Sequence, residues 1–307
     1  MKNIIFDTDL GSDCDDVMAL AYLRYAQKNL GANILAITHC LKTKFGLPAI
    51  KSFCRFFNMG NIPVGVMEGG ADLTDQYAEK LALKFADESD YIIDGTATTV
   101  LRKALVNSSG NVVICAVGQF TNIGALLNSK PDDISELSGI ELVKKYCEKI
   151  VLMAGNFTNE PDGTRGLEWN VRWDVDATKT VIEKSPVPVS FLPFEMGIRV
   201  ITGSNLVEKY NEQNPLSYAF KVYPNAKMGR ASWDPITAVY AVEGVKDFLI
   251  EVKGDVTVSE SGQTYFTKNE NGNHILLHYN YKTFETEYDA CNAISNYIDA
   301  LAESILN

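Results

Sequence analysis

The chain alternates short apolar segments with amphipathic segments, and this alternation is the feature that most limits the folds open to it. Apolar runs of strand length cover residues 3–8, 33–38, 63–66, 111–117, 149–154 and 187–192. Between most of them, apolar residues recur at spacings of three and four, which predicts helices over 15–29, 47–58, 98–106 and 174–184. A repeated strand and helix favours a mostly parallel sheet with helices on both faces, the α/β class.

The pattern changes beyond residue 248. Residues 248–258 and 263–278 alternate like antiparallel strands around an Asn-rich turn, and a helix is expected from about 286 to 305, so we predict a C-terminal β-hairpin and a closing helix. The polar stretch 68–95 has weak periodicity and is predicted to include a mobile flap near the functional site. With 46% hydrophobic residues, the 307-residue chain can bury one core, and we predict a single domain over 1–307, although two small domains are also compatible.

The charge balance excludes several classes of partner. The chain has 39 acidic and 28 basic residues and a formal charge of -11, which repels a phosphate backbone, so no nucleic acid partner is expected. The sequence shows neither a secretory signal pattern nor an apolar run long enough to span a membrane, which favours a cytoplasmic protein without a membrane partner. The six cysteines lack Cys-x-x-Cys spacing and are expected to be free thiols.

An acidic cluster follows the first predicted strand. Asp7, Asp9, Asp13, Asp15 and Asp16 lie within ten residues, at the strand end where parallel sheets bind ligands. Their mutual repulsion is costly unless a cation or protons neutralise it, and hard oxygen ligands suit Ca²⁺ or Mg²⁺. The alternative is an acidic helix start, which explains the last three carboxylates singly but not the first two.

This motif resembles the signature of the inosine-uridine type nucleoside hydrolases, in which a strand leads into Asp-x-Asp-x-Gly and an Asp-Asp pair opens a helix. The resemblance implies that Asp9 is both general base and calcium ligand, that Asp16 is a ligand, and that Asp15 contacts ribose hydroxyls. Two extra residues precede the Asp-Asp pair here, so Asp13 is an alternative for the sugar contact. Asp7 is expected to have an indirect role, in which it supports the ligand residues without binding the cation itself.

Two further segments resemble the same family. Residues 113–123 are similar to its strand and Gly-x-x-Thr-Asn turn, which implies that the backbone carbonyl of Val117 binds calcium; an ordinary strand-to-helix turn is the alternative. Asp234, before a proline, matches the Asp-Pro that completes the calcium shell, although capping of the following helix would also account for it.

The expected sugar contacts lie in a loop after the strand at 149–154. Asn156 follows this strand, and Glu168 and Asn170 resemble the Glu-x-Asn that binds ribose hydroxyls in the family. A carboxylate and an amide two residues apart on an extended loop point the same way, so both can reach one sugar. An exposed loop pair without a ligand is the alternative.

The sequence departs from the family where the leaving base would be activated. Trp233 stands where many members have a histidine, and the resemblance implies that an aromatic stack replaces the acid, with Trp169 and Trp173 as further candidates. His39, His274 and His278 are expected to have structural roles. The Asn that follows the second strand in family members is replaced by Lys-Thr-Lys at 42–44.

The predicted function is calcium-dependent hydrolysis of the N-glycosidic bond of a nucleoside by metal-activated water, in a homodimer or homotetramer. One rival is a noncatalytic nucleoside- or ribose-binding protein of the same fold. The other is a phosphatase of the haloacid dehalogenase type, with Asp7 as nucleophile; the late acidic motif that it requires is not found in the sequence.

Overall fold

The computed structural model describes residues 2–69, 74–158 and 167–306. In these ranges short strands and helices alternate along most of the chain, as the apolar periodicity predicts. The strands are β1 (Asn3–Thr8), β2 (Asn33–His39), β3 (Val64–Val66), β4 (Gly95–Thr96), β5 (Val112–Ala116), β6 (Cys147–Met153), β7 (Val189–Leu192), β8 (Ile201–Thr202), β9 (Arg230–Ala231), β10 (Leu249–Val258), β11 (Thr264–Lys268) and β12 (His274–Tyr279).

The helices cover both faces of the sheet that these strands form. They are α1 (Asp15–Asn29), α2 (Gly46–Phe56), α3 (Ala78–Phe85), α4 (Ala97–Val106), α5 (Thr121–Asn128), α6 (Gly139–Tyr146), α7 (Trp169–Trp173), α8 (Val175–Lys184), α9 (Phe194–Gly197), α10 (Leu206–Tyr210), α11 (Pro215–Val222), α12 (Asp234–Glu243) and α13 (Glu287–Ser304), with a 3-10 helix at Glu88–Tyr91.

Ten of the described strands make one sheet, in the order β11-β10-β12-β7-β6-β5-β1-β2-β3-β4. Every neighbouring pair from β12 to β4 is parallel, whereas β10 is antiparallel to both β11 and β12. The short strands β8 and β9 form a separate antiparallel pair. The predicted mostly parallel sheet is confirmed, and the carboxyl ends of its parallel strands point to one edge.

Side chains of the central strands alternate between two buried cores. On β1, Ile4 and Phe6 enter the core that contains α1, α12 and α13, whereas Ile5 enters the core that contains α4, α5 and α8. All three side chains are fully buried. A central strand that is apolar on both faces is what a parallel sheet covered on both sides requires.

Side-chain caps set several helix starts close to the predicted positions. Thr96 accepts a hydrogen bond from the Thr99 N–H at the start of α4, and Asp174 accepts one from the Ala177 N–H at the start of α8. Thr286 does the same for α13, the predicted closing helix. These caps satisfy backbone donors that the first helical turn leaves without partners.

The C-terminal region differs from the predicted hairpin in one respect. The turn at 269–273 divides the second predicted strand into β11 and β12, and both pair with β10, so the unit has three strands. β12 also pairs in parallel with β7, which joins the unit to the main sheet.

The polar stretch 68–95, where a flap is predicted, contains α3 and the 3-10 helix; its residues 70–73 lie outside the described ranges. All six cysteines are free, as expected. Among the described residues, no helix combines the length and the apolar character that a membrane crossing needs.

Candidate active site

A cavity of about 300 Å³ opens at the carboxyl-end edge of the sheet. Residues that follow β1, β5 and β6 contribute to its wall, together with the start of α12. Six carboxylates line it, far more negative charge than one small cavity holds without compensation. They belong to Asp9, Asp13, Asp15, Asp16, Glu168 and Asp234.

Asp9 is placed in the cavity by close packing of the turn after β5 against its backbone. Gly118 lies in that turn, and a Cβ atom there would be 2.8 Å from the Asp9 Cβ and 2.9 Å from its backbone nitrogen. The side chain of Asp9 is buried, and burial raises its pKa to about 7, although a hydrogen bond with Ser12 opposes the shift. Only glycine allows this approach of the two chain segments.

Asp7 does not line the cavity; its side chain joins β1 to strand β2 and helix α5. Its Oδ1 accepts hydrogen bonds from Thr38 Oγ1 at 2.5 Å and from Asn122 Nδ2 at 2.8 Å. Burial raises its pKa to about 7. The sequence resemblance placed Asp7 behind the ligands, and Asn122 at the predicted turn is the residue that holds it.

Asp15, Asp16 and Asp234 form the most compact acidic group in the cavity. Each offers a carboxylate oxygen that lies within 4.8 Å of the others, and all three side chains are buried. Asp16 accepts a hydrogen bond from Thr8 at Oδ1, while its buried Oδ2 has no hydrogen-bond partner. Burial raises the pKa of all three carboxyl groups well above the usual value, and repulsion from neighbouring carboxylates adds to the shift.

A hard divalent cation fits the site formed by these three aspartates and Asp9. Their donors are all oxygen atoms, one of them is buried without a partner, and their charges disfavour one another in the absence of a counterion. The charges of Asp9 and Asp234 act on each other, and both side chains line the same cavity, although they lie 225 positions apart in the sequence. Segments that are distant in the sequence therefore meet at one acidic centre.

Asp15 also caps α12. Its Oδ2 accepts hydrogen bonds from the backbone N–H groups of Trp233 at 2.9 Å and Asp234 at 3.0 Å. The alternative expectation that Asp234 caps this helix is wrong, because the helix begins at Asp234 itself and its N-cap, Trp233, makes no side-chain cap. The carboxylate of Asp234 is thus left directed to the acidic centre.

Asp13, the alternative sugar contact, is held in an ion pair with Arg230. The Arg230 Nε lies 2.9 Å and 3.1 Å from the two Asp13 carboxylate oxygens, and Nη2 contacts Oδ2 as well. Both residues line the cavity. This pairing occupies Asp13, whereas Asp15 belongs to the compact group with Asp16 and Asp234.

Val117 and Asn170 are joined by a hydrogen bond. The Asn170 Nδ2 donates to the Val117 carbonyl at 2.8 Å and to the Met153 carbonyl at 3.1 Å. A carbonyl oxygen has a second lone pair, so the Val117 carbonyl remains able to bind a cation. Asn170 thereby orients the predicted carbonyl ligand and keeps its own side-chain oxygen for other partners.

Glu168 lines the cavity but is also a helix cap. Its two oxygens accept hydrogen bonds from the backbone N–H groups of Gly155, Asn170 and Val171, at 2.8 to 3.1 Å. Burial raises its pKa. The carboxylate therefore organises the start of α7, which carries Asn170.

Asn156 is not among the described residues that line the cavity. Its Oδ1 accepts hydrogen bonds from the backbone N–H and the hydroxyl of Thr158, at 3.2 and 2.7 Å. The glycine-containing loop that follows, residues 159–166, lies outside the described ranges. A sugar contact by Asn156 stays a prediction.

An aromatic wall faces the acidic centre. Trp233 stacks on Phe194 with ring centroids 5.5 Å apart and an angle of 24° between the planes, and its Nε1 donates to the Phe194 carbonyl at 2.7 Å. Trp169 lines the rim and is half exposed, whereas Trp173, which packs edge-on against it, does not line the cavity.

None of the three histidines, all within the described residues, lines the cavity. His39 is buried with its Nε2 on the Leu10 carbonyl, and burial lowers its pKa to about 4. His274 accepts the Val256 N–H within the C-terminal strands, and His278 lies on the same strand, β12. The expectation that the histidines are structural agrees with these positions.

The family model for the inosine-uridine preferring nucleoside hydrolases matches residues 4–286. The chain belongs to this family. Membership confirms the enzyme class expected from the motifs, a hydrolase that acts on nucleosides. The family is metal-dependent, and the group formed by Asp15, Asp16 and Asp234 could bind the ion.

Solved structures share the fold along the whole chain. A plant nucleoside hydrolase superposes with a TM-score of 0.70 at 17% identity, covering 97% of this chain and 99% of that one. The inosine-uridine preferring nucleoside hydrolase of Bacillus anthracis gives 0.66 at 16% identity, covering 96% and 99%. The type III effector protein XopQ, solved with adenosine diphosphate ribose, gives 0.69 at 13% identity, covering 99% and 94%.

One curated relative is an uncharacterized protein of Schizosaccharomyces pombe, 28% identical over 120 residues. The match covers 39% of this chain and spans 33% of the length of that protein. This likeness adds no information about the cavity.

Several residues of this nucleoside hydrolase family member reach the cavity without having been predicted from the sequence. Phe194 follows strand β7, and strand ends are where site residues were expected, so that signal was available. Gln76 comes from the polar stretch 68–95, where a flap near the site was predicted. Tyr223 and Arg230 come from segments without a recognisable pattern, and only the tertiary structure brings them to the cavity.

Proposed function

We propose that the protein catalyses the calcium-dependent hydrolysis of the N-glycosidic bond of a ribonucleoside, giving ribose and a free base. The observation that supports the proposal most is the convergence of Asp9, Asp15, Asp16 and Asp234 in one buried cavity, beside an aromatic wall. The donors suit calcium because they are carboxylate and carbonyl oxygens, the ligands that this hard cation prefers.

Calcium would be held by Asp9, Asp16, Asp234 and the carbonyl of Val117. The bound ion would lower the pKa of a coordinated water and bind sugar hydroxyls. Asp9 accepts the proton of the attacking water. Burial disfavours the charged form of Asp9, which makes its carboxylate a stronger base than an exposed aspartate.

The remaining residues bind and polarise the substrate. Cleavage of the bond builds positive charge on the ribose ring, which the surrounding carboxylates favour electrostatically. We assign the ribose contact to Asp15, because Asp13 is held by Arg230. Asn170 and Glu168 complete the sugar site, and Trp233 provides the surface on which the base stacks.

The proposal is tested by measuring ribose release from a panel of purine and pyrimidine nucleosides, with calcium and with a chelator. We expect turnover only with calcium, and expect Asp9→Asn to abolish it while the protein stays folded. Asp176→Asn, an exposed carboxylate on α8 outside the cavity, is the matched control and keeps activity. Equal turnover by Asp9→Asn and the parent protein contradicts the role of Asp9.

A noncatalytic nucleoside-binding protein is the second candidate, favoured by the absence of histidine from the described cavity lining. The fold is also that of a protein solved with a bound ribose derivative and described as an effector. The same panel separates the two: tight nucleoside binding without ribose release supports the second candidate. In both cases we expect a homodimer or homotetramer, which sedimentation measures directly.

A further inference from the structure

Arg230 is the one basic side chain among the described residues that line the cavity. It lines the same cavity as the buried aspartates of the acidic centre and is itself partly buried. The bidentate pairing with Asp13 holds its guanidinium in place through Nε and Nη2. A paired arginine in a wall of a substrate cavity has a defined orientation, which an isolated long side chain lacks.

The pairing leaves donors available. A guanidinium has five N–H groups, and the side-on contact with Asp13 uses one from Nε and one from Nη2. No described residue accepts a hydrogen bond from Nη1. The free end of the group therefore offers two parallel donors, one from each terminal nitrogen, in a geometry that suits two adjacent acceptors.

The guanidinium also borders the aromatic wall. Its carbon lies 5.7 Å from the centroid of the Trp233 ring and 5.5 Å from that of the Tyr223 ring. A base stacked along this wall presents its edge to the side chains that border the ring. A base bound beside these rings would lie within reach of Arg230, with its sugar toward the acidic centre.

Other groups in this part of the cavity are poorly suited to the leaving base. The Trp233 Nε1 donor is occupied by the Phe194 carbonyl. Burial raises the pKa of Tyr223, so its hydroxyl is a weak acid there. A phosphate group is disfavoured as the partner of Arg230, because Asp13 already neutralises the guanidinium and further buried carboxylates lie close by.

We propose that Arg230, positioned by Asp13, hydrogen-bonds to the departing base and stabilises the negative charge that develops on it, with preference for 6-oxopurines. These bases present O6 and N7 as adjacent acceptors, the pair that arginine binds with two hydrogen bonds, whereas adenine has a donor amine in place of O6. The inference rests on the proposed function and adds to it the residue that takes over leaving-group stabilisation.

Cleavage of the N-glycosidic bond needs no general acid in this scheme. The C1′–N bond breaks and its electron pair stays on the base, while the water oxygen bonds to C1′ and its proton passes to Asp9. Arg230 keeps its protons, because its pairing with Asp13 raises its pKa further above the ordinary value. The base leaves as a hydrogen-bonded anion and takes a proton from solvent after release.

The test compares kcat/KM for inosine, adenosine and 4-nitrophenyl riboside in the parent protein and in Arg230→Met, with calcium present. The nitrophenyl group leaves readily without hydrogen bonds, so it reports bond cleavage alone. We expect Arg230→Met to lose about 100-fold more activity on inosine than on the nitrophenyl riboside, the usual effect of removing a donor to a developing anion. Asp13→Asn should shift the same ratio less, because it still accepts a hydrogen bond from Arg230.

Arg172→Met is the matched control, because Arg172 is an exposed cation beside the Trp169 ring and does not line the cavity. It should leave the substrate ratio at the parent value. An equal loss on inosine and the nitrophenyl riboside in Arg230→Met overturns the proposal, as does an unchanged preference for inosine over adenosine.

The experiments distinguish a failure of the inference about Arg230 from a failure of the proposed function. A parent protein that releases no ribose from any of the three substrates contradicts the proposed function. Calorimetric binding of inosine and adenosine then still tests Arg230: the parent should bind inosine more tightly, and Arg230→Met should lose that preference. Equal affinities of the parent for both nucleosides overturn the inference.

Discussion

At the scale of single residues, Trp233 has two roles that its position before Asp234 imposes together. Its backbone N–H is one of the donors that Asp15 accepts, and its ring forms the wall of the cavity with Phe194. The ring cannot donate a hydrogen bond to a nucleobase, because its Nε1–H already donates one to the Phe194 carbonyl. The contribution that we propose for Trp233 is therefore stacking.

We predict that Trp233→Ala lowers kcat/KM for a purine nucleoside by about tenfold more than for 4-nitrophenyl riboside, since stacking on an aromatic ring is worth about 1–3 kcal/mol per base. Trp173→Ala is the control, because this ring packs on Trp169 outside the cavity lining. Steady-state kinetics on both substrates provide the measurement. Equal losses on the two substrates would count against stacking.

At the scale of elements, the start of α12 is tied to the start of α1. Asp15 on α1 accepts the first N–H groups of α12, and this contact orients Asp234. Both helix starts consequently bring their positive dipole ends toward the acidic centre, which partly offsets the repulsion among the carboxylates. A change at Asp15 should therefore alter stability and the site together.

We predict that Asp15→Asn unfolds in urea with a free energy about 1–2 kcal/mol higher than that of Asp15→Ala, because asparagine still accepts hydrogen bonds from the N–H groups of α12 and alanine does not. Asp174→Ala, which removes the cap of α8 away from the cavity, should lose a similar stability but keep ribose release. Equal unfolding free energies for the two Asp15 variants would show that the cap does not stabilise α12.

At the scale of the whole molecule, the acidic centre couples stability to pH and to cations. Asp7 and Asp9 have pKa values raised by burial to about 7, and the carboxyl groups of Asp15, Asp16 and Asp234 are shifted in the same direction. Groups with a raised pKa bind protons in the folded state that the unfolded chain has released. Their contribution to stability is present below the unfolded pKa of 3.8 and is lost as pH rises.

We predict that the metal-free protein loses stability as pH rises from about 4 to 7 and beyond, because burial disfavours the charged carboxylates. His39 acts in the opposite direction, since its pKa is lowered to about 4 and its contribution is lost as pH falls from about 6.5. Burial also lowers the pKa of His274 and His278 and raises that of Glu168 and Asp299, so seven carboxyl groups oppose three imidazoles and the net slope should be negative.

Thermal unfolding in chelator at pH 5.5 and 7.5 measures this slope, and addition of calcium provides the comparison. Calcium competes with protons for the carboxylates, so it should raise Tm more at pH 7.5 than at pH 5.5. A metal-free protein that is more stable at the higher pH would contradict the prediction, as would a Tm that calcium leaves unchanged.

Much of the fold could be predicted from the sequence, because its signals are local. Helix α1 and strand β1 have the predicted bounds, and the apolar runs mark the remaining central strands to within a few residues. The acidic cluster after β1 and the order of the motifs likewise identified the family. Local periodicity and motif order suffice for such features, since each is encoded within one short segment.

Contacts between distant segments were decided by the tertiary structure alone. The pairing of Asp13 with Arg230 joins residues 217 positions apart, and Asp15 caps a helix whose first residue lies 219 positions away. No spacing in the sequence encodes either contact, because each depends on where the turn after β1 and the start of α12 meet in space. The sequence by itself therefore determined the sheet, the acidic residues and the family, whereas packing decided which carboxylates point at one centre and which cation lines the cavity beside them.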